Sequence, residues 1–412
     1  MPSNRARQKT SRPPLAPASY ALFLALTAYG LALFGLGPCL TSIAATFRVE
    51  LAATGGLYTA FFTGFIAGVL AAGYAAERLG KRRVVLAGLA ILTGGMLLLA
   101  ASPGPFAQPR FWWALASMVV MGVGGASVEA TSSALVADAN PRREAFALNL
   151  MQAFFGFGAI AGPLVVAAAL ARGWGWQTHF LVAAGFATAV LAALAVTQTR
   201  EQPAAPLPLR DLGELLRRPA LLALCGAMAL YVGAEIGYTG WISALIQERL
   251  GAPVALAGMG VTAFWVMMTV GRLACTWLTE VLTRRSLMLV LAIGGAVASA
   301  ATAVAPSPLW GIAAAGIVGF FYSGLFAVIL TASSDRFSQR RVVVFSLIMT
   351  SVGIGGMTLP LAMGLLGDVL TLRWAMALPA AAMGALAVLF ARIEAKPAQP
   401  RPVLSLPNGP SR

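Results

Sequence analysis

Glu129 to Pro163 reads EATSSALVADANPRREAFALNLMQAFFGFGAIAGP, and the class of fold follows from it. An acid lies inside one apolar run, a basic turn follows, and a second apolar run carries a lone amide, Gln152. That run closes on a Gly-x-Gly…Gly-Pro pattern. A helix needs roughly 20 apolar residues to cross a bilayer, and each run reaches that length. Placing a carboxyl at such depth costs at least ~2.5 kcal/mol, so an acid there normally faces a cavity and has a function. The same pattern returns later in degenerate form. Asp138, Arg143, Gly156, Gly158 and Pro163 have counterparts at Asp335, Arg340, Gly353, Gly355 and Pro360, and Trp113 at Trp310. The chain therefore reads as two related halves with an ionic site between them.

Composition bounds the class. Of 412 residues, 59% are hydrophobic and 10% charged, and the mean hydropathy is +0.81. Soluble domains carry about 25% charged residues. Twelve continuous apolar runs fall near 19–45, 52–76, 84–102, 111–138, 146–171, 179–198, 220–247, 256–280, 287–305, 309–334, 343–369 and 374–393. Continuous runs exclude a membrane strand barrel, whose segments alternate. The expected fold class is an all-α integral membrane protein with 12 transmembrane helices in two pseudo-symmetric six-helix bundles. Its expected divisions are a tail at 1–18, a first bundle at 19–198, a linker at 199–219, a second bundle at 220–393 and a tail at 394–412. The linker is proline-rich and mixed in charge, with a short surface helix expected around Asp211–Arg218.

A net charge of +15 would suit nucleic acid if it were clustered, but the basic residues are spread singly between runs. Of 29 Lys and Arg, 23 fall on the two tails, the linker and the loops of one side, and five on the loops of the other. By the positive-inside rule both termini are cytoplasmic, in a bacterial-type inner membrane. Trp112, Trp113, Trp174, Trp176, Trp310 and Trp374 stand at run ends, where interfacial anchors belong. The single histidine, His179, is expected at the interface too. Cys39, Cys225 and Cys275 lack pairing or ligand spacing, so neither a disulfide framework nor a metal site is expected. There is no partnered nucleophile and no P-loop, hence no enzyme, no cofactor and no built-in ATP drive.

Three constellations carry the functional reading. The first is the loop after the second run: Gly73, Glu77, Arg78, Gly80, Lys81, Arg82 and Arg83. A partial copy follows the eighth run at Arg272, Glu280, Arg284 and Arg285. Acid and bases there can pair at a mouth and gate it, although a solvated loop that only sets topology would contain the same arginines. The second is Glu129, flanked at helical spacing by Gly122, Gly125 and Ala126 before it and Ser132 and Ser133 after it. Small residues on that face pack helices closely or line a cavity. The third is Tyr231, Glu235, Tyr238 and Thr239 on one face of the seventh run, with Gly233, Gly237 and Gly240 expected to interrupt the helix. Acid, phenols and a hydroxyl together suit the hydroxyls of a polyol or sugar. A structural acid in a bundle-facing tyrosine ladder is the competing explanation.

The first constellation resembles the G-x-x-x-D-R-x-G-R-R loop of the major facilitator superfamily, with Glu77 in place of the aspartate. That resemblance covers all twelve runs and implies a central cavity and alternating access by rocking of two bundles. Within it, the acid in the fourth run, LNLMQAFFGFGAIAGP in the fifth and YVGAE in the seventh resemble the fucose–proton symporters and their glucose- and galactose-transporting relatives. This implies proton coupling through Glu129 and Glu235, with Gln152 as a substrate amide. Phe155 replaces an asparagine of that family, and the first run has no acid where the fucose carrier keeps one. Gly158-Ala-Ile-Ala-Gly162-Pro163 is similar instead to the G-x-x-x-G-P of drug–proton antiporters. Phe154, Phe155, Trp265, Met267 and Met268 would give such a protein an apolar cavity, or else face lipid.

The expected function is secondary transport of a small organic solute, proton-coupled, with uptake of a sugar or other polyhydroxylated solute preferred. Drug or metabolite efflux is the alternative, and a non-transporting receptor on the same fold a further one. Protons are preferred over sodium because single buried carboxyls suit protonation, whereas sodium wants several oxygens. The expected substrate contacts are Gln152, Tyr231, Tyr238, Thr239, Phe155 and Trp265. The expected partners are the solute, protons and the bilayer; the working unit is a monomer and nucleic acid is not bound.

Overall fold

A computed structural model describes residues 15–104, 110–199, 201–202, 212–337 and 341–395. Among these there is no strand, and twelve helices are long and apolar enough to cross a membrane. They are numbered here as spans 1 to 12: Pro17–Phe34, Leu51–Leu79, Lys81–Ala101, Phe111–Ala139, Phe146–Ala171, Gln177–Val196, Pro219–Arg249, Val254–Thr279, Arg284–Ala303, Pro308–Ser333, Val343–Val369 and Leu372–Arg392. Spans 1–6 form one bundle and spans 7–12 the other. The twelve sequence runs correspond to them one for one.

Turn chemistry sets several boundaries. Gly80 alone separates spans 2 and 3, at φ 87°, a left-handed conformation that a glycine adopts without penalty. Thr283 and Ser307 cap spans 9 and 10, each accepting a bond from a backbone N–H three residues on. The linker holds one helical turn, Leu212–Leu215, with a Glu214–Arg218 bridge of 2.7 Å beside it; Asp211 lies outside the described residues.

The internal repeat is visible in the helices. Span 5 belongs to a helix Glu144–Ala171 with Pro163 inside it, and span 11 to a helix Arg341–Val369 with Pro360 inside it. The glycines of both copies serve helix packing. A Cβ on Gly158 would collide with the Thr27 carbonyl of span 1, and one on Gly355 with the Ala229 carbonyl of span 7. Close backbone approach of this kind is how helices associate where lipid offers no hydrophobic drive. The pattern that resembled a drug-antiporter motif is thus the seam between spans 1 and 5. Gly233, Gly237 and Gly240 do the same and do not interrupt span 7, whose α-helix Pro219–Ala244 is continuous. They admit Leu359, Met363 and Tyr58 respectively.

Span 1 does break, as does span 10 at Ser323–Gly324. The α-helix of span 1 stops at Phe34 and resumes as Leu36–Phe47. The His179 ring fills the space beside Gly35, where a Cβ would overlap it. His179 is therefore wholly buried, not interfacial as the run end suggested. Trp176 is the second correction: it is 2% exposed and donates its indole N–H to Thr46 at 2.9 Å. Both residues sit near a helix end but face the bundle, a distinction that position along a run does not carry. Trp112, Trp174, Trp310 and Trp374 are exposed, together with the apolar belt that needs lipid around it. The three cysteines are free, with Cys39 and Cys275 buried.

The two halves meet most firmly at the end away from the basic loops. There Thr41 donates to Gln247 at 3.0 Å, and the Trp241 ring, whose indole donates to the Pro360 carbonyl of its own half at 2.9 Å, packs at Gly55 of span 2. Ala52 packs at Gly364. Nearer mid-depth, Thr59 donates to the Met357 carbonyl at 3.0 Å. Span 7 ends in a π-helical turn, Leu245–Arg249, which carries Gln247.

Candidate functional site

Span 8 shows how the central site is oriented. Val266, Val270, Leu273 and Trp277 are exposed, at three- and four-residue spacing, and form the lipid face. Trp265 and Met268 point the other way, at 1% and 0% exposure, and Arg272 is half-buried. Trp265 lies edge-on to Phe34 of span 1 at 4.4 Å and to Phe155 of span 5 at 5.7 Å. This aromatic group closes the space between the halves, so Phe155 and Trp265 face the interior and not lipid.

Beside it the two acids approach each other. Glu129, half-buried on span 4, and Glu235, 8% exposed on span 7, are within electrostatic reach of one another. Tyr29 of span 1 is within reach of both. Its ring packs against Gly125, one turn before Glu129, and stacks on Phe61 at 6.3 Å. The Tyr231 hydroxyl lies close to the Glu235 carboxyl one turn on, and Arg272 lies within electrostatic reach of both. Tyr322 of span 10 stands behind, its hydroxyl 3.1 Å from Ser299 and its ring 6.2 Å from Tyr231. One carboxyl from each half, with phenols beside them, can hold and pass protons and accept bonds from solute hydroxyls.

The other nominated residues are less central. Tyr238 is buried with its hydroxyl 2.8 Å from Thr302, and Thr239 donates to the Glu235 carbonyl at 2.7 Å. Both are engaged within their own half. Gln152 is half-buried. Gly156 faces Thr269 and Gly258 faces the Pro163 carbonyl, so spans 5 and 8 run antiparallel. That register puts Gln152, one turn before Gly156, level with Arg272.

Several charged contacts hold the mouth. Lys81 bridges Asp138 at 2.6 Å with both side chains largely buried, and Asp138 also accepts from the Gln202 N–H at 2.9 Å. Arg82 donates to the Ala195 carbonyl at 2.6 Å and to that of Thr197, tying the end of span 6. Its backbone N–H meets Glu201 at 3.1 Å. Arg78 lies over the Tyr74 ring at 4.3 Å, and Glu77 is exposed. In the second half Arg284 bridges Asp335 at 2.7 Å, the symmetry-related counterpart of Lys81–Asp138. The Glu280 side chain lies outside the described residues. Arg272 belongs to the central group, well away from Arg284.

Sequence reasoning left out Tyr29, Tyr322, and the Lys81–Asp138 bridge. The bridge had a signal, since Asp138 and Asp335 recur in the internal repeat beside basic loops. A lone Tyr29 in an acid-free run gave little.

Two bundles of six spans, with a polar centre between them and charged loops at one end, define a membrane transporter. The chain belongs to the Major Facilitator Superfamily, whose family model matches residues 22–260 and 227–407; it is accordingly not an enzyme. Over 154 residues it is 31% identical to a "Multidrug resistance protein B homolog" of Mycobacterium tuberculosis, 36% of this chain and 27% of that relative's length. The chain thus matches little more than a quarter of that curated relative. Among solved structures it resembles the E. coli fucose:proton symporter, with TM-score 0.64 and 17% identity over 91% of this chain and 98% of that one. A nucleoside transporter superposes with TM-score 0.76 at 11% identity, over 91% and 98%. At these identities the likeness is one of fold.

Proposed function

We propose that the protein carries a small organic solute across the membrane by alternating access, driven by protons held at Glu129 and Glu235. The observation that carries this reading is the placement of one acid from each bundle within electrostatic reach across the centre, beside Tyr29 and Tyr231. Rocking of the bundles would change the separation and solvation of the two acids together, which is what links proton occupancy to conformation. Gln152, Tyr231, Phe155 and Trp265 are the solute contacts; Tyr238 and Thr239 support the same helix face. Lys81–Asp138 and Arg284–Asp335, with Arg82 and its neighbours, hold the loops that gate the basic end. The Thr41–Gln247 bond and the packing of the Trp241 ring at Gly55 hold the opposite end closed. Uptake of a sugar or other polyhydroxylated solute fits the phenols and carboxyls, and the fold is shared with a fucose:proton symporter. Efflux by proton antiport is a second reading, favoured by the aromatic wall of Phe34, Phe155 and Trp265 and by the partial match to a multidrug resistance homolog. A panel of both solute types, offered to purified protein in liposomes under an imposed pH gradient and scored in both directions, separates the two. Accumulation of no solute in either direction would leave the receptor reading.

The basic end faces the cytoplasm of a bacterial-type inner membrane, with residues 1–18, 199–219 and 394–412 on that side and bundles at 19–198 and 220–393. Reporters fused after Arg392 and within the linker are expected to read cytoplasmic, and one in the loop 103–110 external. An external reading after Arg392 would require an odd number of spans and defeat the two-bundle arrangement.

A further inference from the structure

Arg272 poses a problem that proton coupling does not solve. It stands inside an apolar span, two turns short of the Thr279 end, where an arginine is costly to insert and normally has a partner. A guanidinium has five N–H donors. Among the described residues its hydrogen-bond contact is the Met268 sulfur at 3.5 Å, a weak acceptor, and no carboxylate ion-pairs with it. Glu235 lies within electrostatic reach, but it forms no ion pair with Arg272. The Trp265 ring, two turns back on the same face, is 6.0 Å from the guanidinium carbon, the outer limit of a cation–π contact. Trp265 presents a second unmet demand. It is 1% exposed, and its indole N–H has no acceptor.

A guanidinium met by one weak acceptor, beside an indole N–H with none, calls for an anion. We propose that Arg272 and the Trp265 indole form an anion subsite that takes the carboxylate of a small organic acid, level with the Gln152 amide of the facing span. The planar guanidinium binds a carboxylate through two parallel bonds. Tyr231 and Glu235 then receive the hydroxylated body of the same molecule, so the preferred solute is a hydroxy acid or sugar acid in place of a neutral sugar. With protons on Glu129 and Glu235, the charged groups of the centre sum to the single positive charge of Arg272, and one carboxylate neutralises it. The inference rests on the reading that solute binds between the bundles at these residues.

The test is binding to the full-length purified protein, by titration calorimetry and thermal shift. The probes are sodium D-gluconate, D-glucuronate, L-lactate and succinate, with D-glucose, D-sorbitol and glycerol as neutral counterparts and tetraphenylphosphonium as a lipophilic cation. At least one carboxylate is expected to bind the wild type ten times or more tightly than it binds Arg272→Gln, and more tightly than its neutral counterpart. Arg272→Lys should keep part of that preference, because charge survives without the planar fork. Trp265→Phe should lose part of it, because the ring survives without the N–H. Should the glutamine variant fail to fold, as its unliganded melting will reveal, the lysine and phenylalanine variants carry the comparison. The proposal is overturned if no carboxylate distinguishes wild type from these variants. If neutral polyols then bind, the anion subsite alone falls and the proton-coupled reading stands. Binding of tetraphenylphosphonium alone would remove the hydroxylated-solute reading as well.

Discussion

Glu129→Gln is expected to abolish proton-driven accumulation of solute while leaving solute counterflow measurable. Glutamine keeps the shape and hydrogen-bonding capacity of the side chain but cannot exchange a proton. In liposomes with acid outside, the wild type should concentrate solute inward, and the rate should follow external pH. The variant should stop at equal concentrations on both sides, with a rate that no longer responds to pH. The sign matters: protonation at the outward-facing stage promotes uptake, so raising the external pH slows the wild type only. Glu235→Gln is the contrasting variant. Glu235 lies beside Tyr231 on the solute-facing side of span 7, and its loss should weaken solute affinity before it uncouples transport. A purely structural Glu129 predicts otherwise, namely a glutamine variant that remains coupled or does not fold. Solute concentrated against its gradient at the wild-type rate by Glu129→Gln would remove span 4 from the proton path.

The second large effect is on folding. Gly158→Leu is expected to remove most of the protein from the membrane, because the first added carbon already meets the Thr27 carbonyl. Spans 1 and 5 would have to separate along a seam that also holds the bond from Thr27 to the Phe154 carbonyl, 3.0 Å long. Overpacking typically costs about 1–3 kcal/mol and occasionally more, and here a backbone carbonyl, not the end of a flexible side chain, is in the way. Gly355→Leu should do the same in the second half, where the obstacle is the Ala229 carbonyl. Gly185→Leu is the internal comparison, since nothing lies within 4 Å of a Cβ there. Membrane abundance and the melting temperature in detergent report the difference. Normal abundance of Gly158→Leu would mean that this seam does not limit stability.

The fold was legible in the sequence to a degree unusual for a chain of this size, and the reason is physical. The bilayer imposes a length and a polarity on each helix, so twelve runs name twelve spans, and a repeat as degenerate as Pro163 and Pro360 still marks equivalent helices. What a run does not reveal is which side of the helix faces lipid. His179 and Trp176 look interfacial by position and are buried by rotation about the helix axis. The glycines of span 7 look like breaks and are contacts, because a glycine's role depends on the backbone opposite. At the centre, Glu129 and Glu235 could be named because acids are rare and costly in lipid. Arg272 was assigned to the gate because it belongs to a copied loop motif, yet its partners, Trp265 and Met268, lie on its own helix one and two turns back toward the centre. Tyr29 escaped notice because its meaning comes from Gly125 across a helix interface. Lys81 and Asp138 are 57 residues apart in the chain and are joined only by the packing of spans 3 and 4.

The central claim is that solute and proton move together through one site. Its most direct measurement uses liposomes that contain the purified protein and an internal pH indicator, with no gradient imposed. An outside-to-inside gradient of a transported solute is then the only driving force. For the symport preferred here, solute entry should acidify the lumen, and Glu129→Gln should remove that acidification while solute still equilibrates. For antiport the lumen should turn alkaline as solute enters. Solute entry at the wild-type rate with no change of internal pH in either direction would contradict the account, leaving a facilitator whose central acids do something other than carry protons.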